Sequence, residues 1–94
     1  MTTRRITLRI KWLDRDLDDD ELAIVRKAFE EDIDSNQVIV EMDPPKRVRV
    51  GATVSRDRDE QCLAAVLQAL PGAFFRVGPP VFPAEVITLA METL

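Results

Sequence analysis

Histidine and tyrosine are both absent from this chain of 94 residues. Histidine is the side chain used most often as a general acid or base and as a metal ligand, and tyrosine is a frequent phenol donor in active sites. Enzymes can work without either residue, but many acid–base and metal-centred mechanisms are lost with them. The composition therefore favours a protein that is not an enzyme, and we predict no catalytic residue, no cofactor and no metal.

Cysteine is scarce as well, because Cys62 is the only one. A single cysteine excludes an internal disulfide, so the fold must be held by packing, which agrees with a reducing compartment. No apolar run approaches the roughly 20 residues of a membrane-spanning helix. Met1 to Arg5 lead into an alternating pattern instead of the apolar run of a signal peptide. We expect one cytoplasmic domain over residues 1–94, with no membrane partner.

The clearest structural signal is a β-hairpin between Gln37 and Ser55. Its second arm, from Arg47 onward, alternates apolar and polar residues with the period of two that is typical of a half-buried strand. The apolar positions of the two arms are Val38, Val40 and Met42 in the first and Val48, Val50, Ala52 and Val54 in the second. Ile39 lies on the wet face of the first arm. It raises the hypothesis of a homodimer formed by pairing of edge strands between chains.

A second alternating segment runs from Arg5 to Leu13. Its apolar positions are Ile6, Leu8, Ile10 and Trp12. Thr7, Arg9 and Lys11 lie between them, so the wet face of this strand is basic, like that of the hairpin.

An amphipathic helix is predicted after this strand. Asp18 is a candidate N-cap with Glu21 at the third helical position, and Leu17 and Leu22 occupy the two positions of a hydrophobic staple. The apolar stripe of this helix consists of Leu22, Val25, Ala28 and Phe29. The segment from Asp32 to Asn36 is its predicted exit into the hairpin.

The second half of the chain predicts another helix and a final strand. Asp57 and Glu60 repeat the cap pattern, and an apolar stripe that begins at Cys62 stops at Pro71-Gly72. The segment Glu85 to Thr93 is compatible with a helix, or with a strand that has Ile87, Leu89 and Met91 inward. Three successive β-branched residues near its start favour the strand.

The predicted order is strand, helix, strand, strand, helix, strand. Short connections and right-handed crossovers fold this order most easily into an α+β, ferredoxin-like domain, a four-stranded antiparallel sheet with two helices on one face. The first strand and the second arm of the hairpin would then be central neighbours. Four basic residues would therefore meet on the uncovered face: Arg9, Lys11, Arg47 and Arg49.

Two features of the sequence have a chemical and a structural interpretation. Cys62 near the start of a helix could be a thiolate nucleophile, but its place on the apolar stripe favours a buried structural role.

The carboxylates from Asp14 to Glu21 begin like a calcium-binding EF-hand loop. That loop would have Asp19 where glycine is needed and Val25 where a bidentate glutamate is needed, so capping of the helix explains the cluster better.

The basic face carries our main functional hypothesis, a small interaction or accessory module that binds a protein partner with an acidic surface. The residues expected to bind are Arg9, Lys11, Arg47 and Arg49. A nucleic-acid-binding regulator is a further alternative, which two observations disfavour. The net charge is −4, and the wet positions of the two central strands lack the aromatic residues on which bases stack.

The other alternative is a dimeric α+β barrel that binds or converts a small hydrophobic molecule, of the general kind found in cofactor-free monooxygenases and cyclases. Its ligand pocket would lie between sheet and helices and would be lined by Trp12 and Phe29. Filling of the core is the preferred interpretation of both residues, because aromatic residues at inward positions need no other explanation. Such barrels pack two sheets together on apolar faces, so the arginines on the wet face count against this alternative.

Overall fold

The computed structural model describes residues 2–11, 17–43, 47–77 and 85–93. They form β1 (Thr2–Lys11), α1 (Asp19–Ile33), β2 (Val38–Asp43), β3 (Arg47–Arg56), α2 (Asp59–Phe75) and β4 (Glu85–Thr93). The strands make one four-stranded antiparallel sheet with two helices, so the predicted ferredoxin-like fold is confirmed. Neither of these helices is long and apolar enough to cross a membrane.

The strand order in the sheet is β2-β3-β1-β4, which makes β1 and β3 the central pair, as predicted. In β1 and β3 the apolar positions meet across the pair, for example Leu8 opposite Val50 and Ile10 opposite Val48. These four side chains are fully buried, because alternation directs them towards the helices. We call this side of the sheet the helix side and the other the open face.

The core lies between the helix side of the sheet and the two helices. α2 packs over β1 and β3, and α1 packs over β2 and against α2. At the contact between the helices, the rings of Phe29 and Phe74 lie edge to face, with centroids 6.3 Å apart and planes at 80°. Both rings are fully buried, so Phe29 is a core residue; Trp12, predicted to share a pocket with it, lies outside the described residues.

The predicted start of α1 is confirmed in detail. The carboxylate of Asp18 accepts a hydrogen bond from the Glu21 amide at 2.9 Å, and the Glu21 carboxylate accepts one from the Asp18 amide at 3.1 Å. This reciprocal capping box satisfies two amides that the first helical turn leaves free. The helix ends at Ile33, and Asp34 follows it in the left-handed region with φ 54° and ψ 53°.

The predicted bounds of α2 are wrong at both ends. Its N-cap is Arg58, not Asp57, and the Arg58 amide donates to the Gln61 side chain at 3.2 Å. The helix also continues through Pro71 to Phe75, although proline lacks the amide that an interior helical residue donates. Burial of Phe74 in the last turn against Phe29 offsets that loss, and this contact between distant segments is absent from the local pattern.

The last segment is a strand, as the β-branched residues predicted. β4 pairs antiparallel with β1, with Leu89 opposite Leu8 and Met91 opposite Ile6. Leu89 and Met91 therefore point to the helix side, as expected. They are nevertheless exposed, because β4 is an edge strand.

Candidate functional site

The four predicted binding residues come together on the open face. Arg9 of β1 is directly opposite Arg49 of β3, and Lys11 is directly opposite Arg47. Directly opposite residues of an antiparallel pair have Cβ atoms about 5 Å apart. All four side chains are exposed, so the two cross-strand pairs form one compact block of positive charge.

The neighbouring edge strand supplies negative charge that the sequence analysis missed. Glu41 and Asp43 of β2 are in register with Arg49 and Arg47 of β3. The Glu41 carboxylate accepts a hydrogen bond from Nη2 of Arg49, and Oδ2 of Asp43 lies 3.9 Å from Nε of Arg9. The hydrogen bond that Arg49 donates to Glu41, and then the charge of Glu41, raise the pKa of Arg49.

The other cations of the face form no ion pair of this kind. Among the described residues, no carboxylate is within ion-pair distance of Arg5, Lys11 or Arg47, although the register places Glu92, Glu85 and Asp43, respectively, directly opposite them. Arg5 alternates with Arg9 along β1 and lies opposite Thr53, so it belongs to the open face too. The alternation in the sequence already placed Arg5 on this face. The sequence analysis nevertheless did not include Arg5 among the expected binding residues.

A shallow hollow of about 190 Å³ lies beside these cations, at the centre of the open face. Its lining residues are Arg5, Thr7, Ile39, Glu41, Arg49 and Gly51. Gly51 is directly opposite Thr7 on one side and Ile39 on the other. Because Gly51 has no side chain, the sheet surface is low at this point.

The fold does not require glycine at position 51. The residue does not have a positive φ, and a Cβ added there would meet nothing within 4 Å. Glycine in the interior of a strand is unfavourable by roughly 0.5–1 kcal/mol relative to alanine. Glycine at position 51 therefore lowers the stability of the strand slightly, and neither the backbone conformation nor the packing of the fold requires it.

The described residues offer little for catalysis or metal binding. Cys62 is fully buried, and its Sγ lies 3.6 Å from the carbonyl oxygens of Thr2 and Val54, which suits a structural role. No group of three or more cysteine, aspartate or glutamate side chains in the described ranges is arranged to hold a metal ion. Asp14 and Asp16 of the predicted acidic cluster lie outside the described residues.

A broader groove of about 900 Å³ lies at the other end of the sheet, between the C-terminal end of α1 and β3. Its charged lining residues are Lys27, Glu30, Glu31, Asp34 and Arg56. Charges of both signs are mixed along it, and it includes none of the predicted binding residues. The open face is therefore the better candidate site.

Comparison with protein-family models and with curated proteins found no match for this chain.

Proposed function

We propose that this protein is a non-enzymatic interaction module that binds an acidic surface of a partner protein through its open face. The observation that carries the proposal is the block of cations on the two central strands: Arg5, Arg9, Lys11, Arg47 and Arg49. The chain as a whole has a net charge of −4, so this block is a local reversal of sign. Such a patch steers an acidic partner to one side of the molecule.

The hollow at Gly51 adds a shape to this charge pattern. Its wall includes Ile39, whose side chain is 51% exposed, and its rim includes Arg5 and Arg49. An aliphatic side chain of the partner fits the hollow, and carboxylates on either side of it fit the cations. We therefore expect the partner to present an apolar residue flanked by aspartate or glutamate.

A protein partner explains the open face better than a nucleic acid does. Single-stranded RNA on a sheet of this kind depends on aromatic side chains, and each stacked base contributes about 1–3 kcal/mol. The described open-face residues of β1 and β3 include no aromatic residue. Phosphate attraction alone would have to act against the negative charge of the whole chain.

The same charges argue against a barrel formed by two sheets packed face to face. That arrangement would bring Arg5, Lys11 and Arg47 of each chain into a dry interface, and burial of cations that have no ion pair within the described part of the chain is strongly unfavourable. The open face as described suits a hydrated contact with a polar partner.

The test is photo-crosslinking of the partner in extracts of the cells that make the protein. A photoreactive maleimide is attached at Thr53→Cys beside the hollow, and at Gln68→Cys on α2 as the control position. Cys62 is buried, so the introduced thiol is the one that reacts. We expect one protein to be crosslinked from position 53 and not from position 68.

Two charge variants show whether that contact depends on the cation block. Arg47→Glu and Arg26→Glu change the net charge equally, but Arg26 is exposed on α1 beside Val40, on the helix side of the sheet. Arg47→Glu should abolish the crosslink and Arg26→Glu should leave it. Equal loss with both variants, or crosslinks to nucleic acid that disappear at physiological salt, would refute the proposal.

A further inference from the structure

The cation block of the open face lies between two rows of acidic residues. The cations belong to the central strands β1 and β3, and each edge strand has acidic residues in register with them. These acidic residues are Glu41 and Asp43 on β2 and Glu85 and Glu92 on β4. The cation block is therefore long and narrow, and its long axis follows the strands.

The width of the cation block limits how an acidic partner can lie on it. Neighbouring strands are about 4.8 Å apart, so the two acidic rows are separated by roughly 14 Å. A partner that crossed the strands would place carboxylates over these rows, and like charges repel. A helix is about 10–12 Å wide with its side chains, so its flanks would come close to both rows. An extended segment that runs along the strands is narrow enough to avoid them.

The positions along the cation block follow the period of the strands. The open-face positions of β1 lie about 6.6 Å apart, since alternate residues share a face. From one end they are Lys11, Arg9, Thr7 and Arg5. Arg47 and Arg49 of β3 lie opposite the first two, and Gly51, at the hollow, lies opposite Thr7. The order along the block is thus cation, cation, hollow, cation.

We infer that the partner binds as an extended acidic segment of about seven residues that lies along β1 and β3. This inference rests on the function proposed above and narrows it from an acidic surface to a linear segment. An extended segment has the same period of two as the strands below it, so its inward side chains stay in step with the cation block. Its order should be acid-x-acid-x-apolar-x-acid, or the same order reversed, where x is any residue.

Each inward side chain of such a segment meets a complementary group. The first two acidic residues would lie between the cross-strand pairs of cations, whose Cβ atoms are about 5 Å apart. The apolar residue would enter the hollow beside Ile39, and the last acidic residue would reach Arg5. Exposed ion pairs are individually weak, so we expect a reversible contact whose selectivity comes from the spacing of the charges.

A single-stranded nucleic acid fits this order less well. Its phosphates would place a negative charge at every position along the cation block, including the hollow. The wall of the hollow includes the exposed Ile39 and the acidic Glu41. An apolar side chain suits that position better than a phosphate does.

Titration with synthetic peptides, followed by NMR chemical shifts, tests the order. The probes are capped peptides of equal composition and charge: Glu-Ser-Glu-Ser-Leu-Ser-Glu, its reverse, and the control Ser-Leu-Ser-Glu-Glu-Glu-Ser. One of the first two should bind roughly five- to tenfold more tightly than the control, because adjacent glutamates of an extended chain point to opposite sides. Equal affinities, or tighter binding of an oligothymidine of similar length, would overturn the inference.

Cation variants locate the segment on the open face. Arg5→Ala should weaken the better peptide roughly three- to fivefold, but not a version with glutamine in place of the glutamate nearest Arg5. Lys11→Ala, an exposed position at the other end of the block, should behave in the same way with the opposite terminal glutamate. Arg26→Ala on the helix side removes the same charge and should weaken neither peptide. Equal weakening of the glutamate and glutamine peptides by both open-face variants would contradict the placement.

The crosslinked partner separates this inference from the proposed function. The partner segment crosslinked from position 53 should have the predicted order and, as an isolated peptide, should bind within about tenfold of the whole partner. If the partner is crosslinked but its isolated segment does not bind, the proposed function stands and the extended segment is refuted. If no partner is crosslinked, the proposed function fails, whereas the synthetic peptides still decide whether the cation block selects an extended acidic segment.

Discussion

Arg9 of β1 and Arg49 of β3 stand directly opposite each other at the centre of the sheet, on the face that no helix covers. Like charges in this position destabilise a strand pair, so the arrangement does not arise from fold stability alone. The sheet reduces the repulsion with carboxylates from β2, one beside each arginine. The remaining cations, Arg5, Lys11 and Arg47, form no ion pair in the described part of the chain, although an acidic residue is directly opposite each of them, so we expect them to be available to another molecule.

The pair between Glu41 and Arg49 predicts a variant with tighter binding. Glu41→Gln removes a carboxylate that competes with the partner for Arg49, so the affinity for an acidic peptide such as hexaglutamate should rise roughly two- to five-fold. Titration followed by NMR chemical shifts of the open-face amides measures the affinity. Glu60→Gln on α2 removes the same charge far from this face and should have a smaller effect. Equal increases would show that only net charge matters.

A larger side chain at position 51 should raise stability and abolish binding. Gly51→Val adds a β-branched side chain to a strand where a Cβ meets nothing within 4 Å, so the free energy of unfolding should rise by about 0.5–1 kcal/mol. The new side chain would fill the hollow and should abolish partner crosslinking from position 53. Urea denaturation and the crosslinking assay measure the two effects. Thr7→Val is the control: Thr7 is directly opposite Gly51, and valine has nearly the same shape as threonine, so this variant should retain binding. A loss of stability in Gly51→Val would contradict the argument.

The contact between Phe29 and Phe74 predicts a stability difference between two adjacent aromatic residues. Phe74→Leu removes the edge-to-face contact and should lower the free energy of unfolding by about 1–2 kcal/mol. Phe75→Leu is the control, because its side chain is 59% exposed and its replacement should change stability by less than about 0.5 kcal/mol. Urea denaturation monitored by circular dichroism measures both. Similar losses in both variants would mean that α2 packs differently in its last turns.

The left-handed residue after α1 predicts opposite effects of glycine at two sites. Asp34→Gly relieves a positive φ and should stabilise the protein by about 0.5–1 kcal/mol. Ala23→Gly, in the interior of the preceding helix and exposed, should destabilise it by about 1 kcal/mol. Thermal melting of the two variants beside the wild type checks the signs. Destabilisation by Asp34→Gly would imply that its side chain has a favourable contact.

Much of the fold was predictable because its signals are local. Alternation of side chains predicted β1 and the hairpin, β-branched residues favoured a strand for β4, and the capping box at Asp18 and Glu21 predicted the start of α1. The end of α2 was not predictable in this way. Pro71 normally ends a helix, and the contact that carries the helix past it joins Phe74 to a residue on the other helix.

The sequence by itself determined which side chains share a face, because a strand alternates whatever it pairs with. It therefore placed Arg9, Lys11, Arg47 and Arg49 on one wet surface. Only the tertiary structure decided which residues stand beside them, since register depends on contacts between distant segments. Register brought Glu41 to Arg49, set Gly51 between Thr7 and Ile39, and left Leu89 and Met91 exposed on the edge strand β4.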